Sequence, residues 1–332
     1  MNINEIFERF SALNVLLVGD VMIDAYQFGS VSRISPEAPV AVFDFESEEK
    51  RLGGAANVLL NLKSLGANPI LCSVIGQDDA AVDFLALLEK HKLSTASILQ
   101  DPKRKTTCKT RVLANNQQLL RIDREDHFDI DAQMAQLLIA EITRLCDTQK
   151  IDVILLEDYN KGVLTEQTIS AILELAQARH IPTAVDPKKN NFFAYQKATL
   201  FKPNLKELKE GLQVDINKHD VQSIQKAIAL LQERLGNQKT LLTLSEQGVI
   251  LSEADKFIQL PAHIRNIADV SGAGDTVISV ATLCLALGLD NTTLASWSNL
   301  AGGLVCEQLG VVPIDKEQLK AEIMRYEKAK FQ

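Results

Sequence analysis

The stretch Asp269-Val270-Ser271-Gly272-Ala273-Gly274-Asp275-Thr276 runs straight into the apolar segment Val277 to Leu289. Two glycines flanking an alanine make a loop with no bulk above its backbone, so its N–H groups can approach a ligand closely. The residues that follow are good helix formers, apolar on nearly every side, and predict a buried helix. The loop therefore lies at a helix N-terminus, where free N–H groups and the helix dipole favour an anion. A carboxylate at Asp275 suits such a place if it takes a proton from a hydroxyl attacking a phosphoryl group. The N–H groups of Gly272, Ala273 and Gly274 would hold that group. The alternative is structural, with Asp275 as a partner for the helix dipole. The loop is neither a P-loop, because the Gly-Lys-Ser/Thr ending is absent, nor a Gly-x-Gly-x-x-Gly turn.

Away from this loop, short apolar runs alternate with helical patterns. Strands are expected at Asn14–Gly19, Pro69–Ile75, Val153–Glu157, Pro182–Asp186, Leu200–Lys202 and Thr240–Leu244. Helices are expected at Ala55–Leu65, Ala80–His91, Ala132–Cys146, Glu166–Ala178, Leu205–Leu212, Val221–Leu235, Ala273–Leu287, Thr293–Gln308 and Lys316–Tyr326. This alternation predicts an α/β fold, a mostly parallel sheet with helices on both faces. Ligands in such sheets bind beyond the carboxyl ends of the strands. Gly19-Asp20, Asp158-Tyr159 and Asp186-Pro187-Lys188 all fall there.

Two regions depart from the alternation. Tyr26 to Arg51 includes the alternating run Val40-Ala41-Val42-Phe43-Asp44-Phe45 and no long helix. Thr106 to Asp123 predicts two strands, Cys108–Val112 and Gln118–Ile122, joined by the turn Ala114-Asn115-Asn116-Gln117. These pieces, about residues 24–50 and 106–123, are expected to pair into a small sheet that forms a lid, ordinary edge hairpins being the alternative.

The 332 residues are expected to form a single domain, and 46% hydrophobic content supports a large core. Five scattered cysteines without a Cys-x-x-Cys pair argue against zinc and against a disulfide framework, and are expected as free thiols. Residues 1–10 form an amphipathic start rather than a signal peptide, and no stretch is long and apolar enough to span a membrane. A cytoplasmic location is expected. A net charge of −8 argues against a nucleic-acid partner, though local Lys and Arg can still build a site for a small anion.

Gly53-Gly54-Ala55-Ala56-Asn57-Val58, Pro203-Asn204-Leu205-Lys206-Glu207 and Asp269–Asp275 together resemble the signatures of the ribokinase (PfkB) family, from about Asn14 to Ile314. The resemblance implies a ribokinase-like three-layer sandwich and an ATP-dependent carbohydrate kinase. Further segments resemble the heptose 7-phosphate kinases within that family. They are Gly19–Asp24, Ser32-Arg33-Ile34-Ser35-Pro36-Glu37-Ala38-Pro39-Val40, Gln117–Asp123, Asp158-Tyr159-Asn160-Lys161-Gly162 and Val185–Lys188. The sequence departs from those kinases at Ala25 and Gln27, where Arg and a second aromatic are usual. It departs again at Cys306–Val311, in place of Gly-Lys-Leu-Gly-Thr. The chain is expected to leave no room for the nucleotidyltransferase domain fused to some relatives.

Residue by residue, the resemblance assigns Asp24 and Gly53-Gly54 to the sugar, and adds Asp186 to the substrate-binding residues. Gly53-Gly54 suits close approach of a ligand at a helix start, or else only makes a tight turn; Asn57, one turn on, could reach sugar hydroxyls. Asp24 could equally be a solvated turn residue. Asn204 and Glu207 are three apart on one helical face and could bind Mg²⁺ through its waters, or form a capping pair, or both. The resemblance favours magnesium, and it allows a monovalent cation as well. Ser245 and Gly248 resemble the family's nucleotide-side turn, Asn204 belongs with the nucleotide, and Asn299 matches a segment that lines the adenine. Lys109 and Arg111 on one lid strand, Arg121 on its partner and Lys161 in a loop are candidates for the phosphate of a sugar phosphate. The expected partners are thus ATP and a sugar phosphate. Unpaired lid edges, with the family's habit, imply a homodimer through the lids.

Overall fold

A computed structural model describes residues 2–115, 117–254, 256–263, 265–308 and 310–329. Helix α1 (Ile3–Phe10) opens the chain, followed by β1 (Asn14–Gly19), β2 (Val21–Ile34), β3 (Ala41–Gly54), α2 (Ala55–Ser64) and β4 (Asn68–Ile75). Next come α3 (Asp79–Lys90), β5 (Ile98–Gln100), β6 (Cys108–Ala114), β7 (Gln117–Arg124), α4 (Ala132–Thr148), β8 (Val153–Glu157) and α5 (Glu166–Ala178). The chain continues through β9 (Thr183–Asp186), β10 (Leu200–Phe201), α6 (Leu205–Leu212), α7 (Val221–Leu235), β11 (Lys239–Thr243), β12 (Val249–Glu253) and β13 (Lys256–Leu260). It closes with α8 (Ala273–Ala286), α9 (Asn291–Val305) and α10 (Lys316–Ala329).

The main sheet, among the described residues, has nine strands in the order β13-β12-β11-β10-β9-β8-β1-β4-β5. It is parallel from β11 to β5, and β12 and β13 add an antiparallel edge. Alternation along each central strand sends side chains to two separate cores. Val15, Leu17, Val153 and Leu155 join α2, α8 and α9 on one face. Leu16, Val18, Ile154 and Leu156 join α4, α5 and α7 on the other. Strands buried on both faces need continuous apolar runs, and that is what β1 and β8 carry. Each fully buried Leu or Ile contributes roughly 1.5–3 kcal/mol, so these two cores fix the strand ends that hold the site.

The expected strands and helices agree with these elements to within a few residues at their ends, and the three-layer architecture is present. Three strands had no counterpart in the sequence reading: β5, β12 and β13. The last two follow the Ser245–Gly248 turn as a meander, and their short apolar runs carry little period of their own.

The lid is a separate sheet, β3-β2-β6-β7. Its strands outrun the expectation, since β2 and β3 are 14 residues each. The turn residue Asn116 lies outside the described residues, as does Leu309 in the departing Cys306–Val311 segment. Register places Arg51, Asp24, Lys109 and Asp123 in one cross-strand row. Glu49, Tyr26, Arg111 and Arg121 form the next row on the same face.

Candidate active site

The carboxyl ends of β1, β8 and β9 meet the N-termini of α2 and α8. Asp20, directly after β1, is buried and accepts backbone N–H bonds from Tyr159 at 2.8 Å, Lys161 at 3.0 Å and Val163 at 3.0 Å. One carboxylate thus shapes the loop after β8 and aims Tyr159 at α8. Gly272 starts α8 in the left-handed region, at φ 79°, where a side chain would be strained. Asp269 braces this loop by accepting N–H bonds from Ser271 and Gly310. Within it the Ala273 N–H already bonds the Val270 carbonyl at 3.3 Å.

Asp275 lies in the first turn of α8 and is 9% exposed. The Asn57 amide donates to its Oδ2 at 2.6 Å, and the Tyr159 hydroxyl donates to its Oδ1 at 2.8 Å. Burial raises the pKa of Asp275 above the usual carboxylate value, and the bonds from Asn57 and Tyr159 pull it back. Asn57 Oδ1 is itself buried with no hydrogen-bond partner among the described residues.

Lys202 is buried and pairs with Asp186 at 2.8 Å, and the Gly274 backbone passes close to its ammonium group. Burial works against its charge, but Asp186 and Glu207 together raise its pKa. Asp186 therefore sits beside Lys202 and the α8 loop. Glu157, the last residue of β8, is buried within reach of both Asp186 and Asp275. Burial and those two carboxylates push its pKa well up.

Asn204 and Glu207 form a capping box on α6: Glu207 N–H to Asn204 Oδ1 at 2.9 Å, and Asn204 N–H to Glu207 Oε2 at 2.8 Å. Glu207 Oε1 also pairs with Lys188 at 2.9 Å. The capping reading is realised, and contact with a cation is left to intervening waters. Among the residues expected at the nucleotide, the Asn299 amide donates to the Pro261 carbonyl at 2.8 Å. Gly248 abuts the same Leu260–Ala262 segment, which brings the Ser245–Gly248 turn and Asn299 together.

At the lid, a Cβ on Gly53 would lie 2.2 Å from Asp24 Oδ2, so only glycine lets this turn close over the carboxylate. Arg111 bonds Asp24 Oδ1 at 2.6 Å. Lys109 and Lys161 share one carboxylate, Glu125, at 3.0 and 2.8 Å. Arg121 is half exposed and pairs with Asp123. All four candidate cations thus have carboxylate counter-ions, and Lys109 also lies 3.5 Å from Asp123, the partner of Arg121. The guanidinium groups of Arg51 and Arg111 lie 4.9 and 5.3 Å from the ring centre of Tyr26.

Several of these residues escaped the sequence reading: Glu157, Lys202, Tyr26, Arg51 and Glu125, while Tyr159 was read only as part of a motif without a role. A signal existed for two of them. Glu157 ends an otherwise apolar strand, and Lys202 directly follows another.

A family model for pfkB family carbohydrate kinases matches residues 12–317. A protein named bifunctional protein HldE from Pelobacter propionicus is 41% identical over 310 residues, 93% of this chain and 63% of its own length. Its namesake from Helicobacter pylori is 38% identical over 305 residues, 92% of this chain and 65% of its own length. The chain therefore spans slightly under two thirds of the length of these curated relatives. Among solved structures, phosphofructokinase-2 from Escherichia coli in complex with fructose-6-phosphate superposes with a TM-score of 0.77 at 17% identity, covering 94% of this chain and 99% of the other. Arabidopsis thaliana ribokinase complexed with ribose and ATP gives 0.70 at 14% identity, covering 93% and 98%. At these identities the structural likeness shows a shared ribokinase-like fold.

Proposed function

Because this chain belongs to the pfkB family of carbohydrate kinases, we propose that it transfers the γ-phosphoryl group of ATP to the anomeric hydroxyl of D-glycero-β-D-manno-heptose 7-phosphate. The product would be the 1,7-bisphosphate, and the step would belong to the supply of ADP-heptose for the lipopolysaccharide core. The observation that carries the reading is the bond from Asn57 to Asp275, which ties the Gly53-Gly54 turn to the carboxylate at the α8 loop. A sugar seated against Gly53, Gly54 and Asp24 would present a hydroxyl to Asp275. The unpartnered Oδ1 of Asn57 is an acceptor for a neighbouring hydroxyl.

Asp275 takes the proton as that hydroxyl attacks the γ-phosphorus, and the Gly272–Gly274 backbone with Lys202 steadies the charge on the transferring group. Asn204 and Glu207 would hold, through water, the magnesium carried with ATP, which would supply neutralisation of the phosphate charge. Ser245, Gly248 and Asn299 line the nucleotide side. The lid closes over the sugar and limits wasteful hydrolysis. Arg111, Lys109 and Lys161 receive the distal phosphate, exchanging Asp24 and Glu125 for it, and Arg121 borders them. The enzyme acts in the cytoplasm, where ATP is made, as a homodimer joined through its lids.

Choice of heptose 7-phosphate rests on the resemblance of the Ser32–Val40 and Asp158–Gly162 segments to such kinases and on the cations at the lid. The test is phosphorus NMR of the product formed from heptose 7-phosphate and ATP. A new anomeric phosphate signal beside the retained 7-phosphate supports the reading, and a signal on any other carbon overturns it.

A further inference from the structure

Glu125, directly after β7, is held at both carboxylate oxygens: Lys161 pairs with Oε1 at 2.8 Å and Lys109 with Oε2 at 3.0 Å. His127 completes the group, with Nδ1 3.4 Å from the Lys161 ammonium and Nε2 3.4 Å from Glu125 Oε1. An ammonium group only donates hydrogen bonds, so Nδ1 meets it as a bare acceptor and the imidazole proton sits on Nε2, toward Glu125. His127 is therefore neutral in this arrangement. Lys109, Lys161 and Glu125 together carry one net positive charge, and the adjoining pairs Arg111–Asp24, Arg121–Asp123 and Lys105–Asp126 are each neutral. Burial raises the pKa of Glu125, but Lys161 and Lys109 outweigh it and bring the pKa below the ordinary value.

We propose that His127 is a positioning residue for the acceptor's phosphate: as Lys109 and Lys161 turn from Glu125 to that phosphate, His127 Nδ1 takes a proton from solvent and the imidazolium becomes the counter-ion of Glu125. The inference rests on the reading that these two lysines receive the distal phosphate. A phosphate monoester brings close to two negative charges, which would turn the cluster from net positive to net negative. Glu125, only 10% exposed at its side chain, would then be left without its two cations, which is costly. Departure of Lys161 is also the event that frees Nδ1 to accept a proton, and Nε2–H already faces the carboxylate. Histidine is the side chain that changes charge near neutral pH, so the exchange is within its reach. At 70% exposure the His127 side chain is open to solvent for the proton, and replacing it disturbs little packing. An acceptor without the phosphate leaves both lysines on Glu125 and calls for no proton.

The test is titration calorimetry of the full chain with heptose 7-phosphate at about pH 7.5, where an ordinary histidine is mostly neutral. Repeating it in buffers of different ionisation enthalpy counts the protons bound with the ligand. The expected result is uptake of about 0.5–1 proton per chain. His127→Gln should still bind, with uptake near zero, affinity lower by at least about five-fold and kcat within about two-fold of the parent. His127→Arg, a permanent cation at the same place, should restore the affinity with no uptake. Binding without proton uptake in the parent overturns the inference alone, and so does uptake that persists unchanged in His127→Gln. Failure of heptose 7-phosphate to bind the parent overturns the substrate reading and this inference with it.

Discussion

Asn57 donates its side-chain amide to Asp275 at 2.6 Å, joining the first turn of α2 to the first turn of α8 across 218 residues of sequence. This bond makes the Gly53-Gly54 turn and the carboxylate at the α8 loop one unit. It also lowers the pKa of Asp275 against the effect of burial. Removing the carboxylate should therefore strike chemistry rather than binding. Asp275→Asn is expected to lower turnover by at least about a hundred-fold while ATP still binds, as checked by calorimetry beside steady-state rates. Near-normal turnover would take Asp275 out of the mechanism.

Tyr159 supplies the second bond to Asp275, and its loss has a definite sign. The hydroxyl stabilises the ionised carboxylate, so Tyr159→Phe raises the pKa of Asp275 further above its usual value. Activity needs the ionised form and falls as pH drops through that pKa. The acidic limb of the pH–rate profile should thus move to higher pH in Tyr159→Phe, with the plateau at neutral pH less affected. A shift to lower pH would contradict the assignment.

Glu207 has two tasks in the proposal, and one substitution separates them. Gln can still complete a capping box, but it loses the charge that faces Lys188 and the cation's waters. Glu207→Gln is expected to raise the Mg²⁺ concentration for half-maximal rate with little change in melting temperature. A loss of stability alone would leave Glu207 as a cap only.

The lid edge gives a prediction about assembly. Strand β7 is exposed along its length, with Leu120 at 49% and Ile122 at 53% on one face. A bare apolar edge of this kind is normally covered. Light scattering at micromolar concentration should show a dimer, and the double change Leu120→Lys, Ile122→Lys should give monomer. A monomeric parent would remove the lid dimer from the account.

Most of the fold was legible because β1, β8 and α8 are apolar runs with clear boundaries, and the lid because its segments alternate without a helix. Strands β12 and β13 were not, since a short meander at a sheet edge is defined by its partner β11 more than by its own pattern. In the site, Asp275, Asn57 and the α8 loop were visible as motifs. Lys202 and Glu157 were not, and Tyr159 was visible only as a neighbour of Asp158, because their roles arise where three strand ends converge. The lid cations were legible as candidates, but Glu125, the counter-ion of Lys109 and Lys161, was hidden, being one acid among many in an acidic chain.

The central claim, a kinase selective for a phosphorylated heptose, is tested most directly by ADP release across a panel of sugars and sugar phosphates that includes heptose and heptose 7-phosphate. A buried charge-assisted contact contributes roughly 1.5–3 kcal/mol, about ten- to a hundred-fold in kcat/KM for each one made. The account predicts that heptose 7-phosphate is the best acceptor by a wide margin over free heptose, and that Arg111→Ala or Lys161→Ala narrows the margin with little change in ATP affinity. Equal use of free heptose, or a higher kcat/KM for ribose or fructose 6-phosphate, would contradict it.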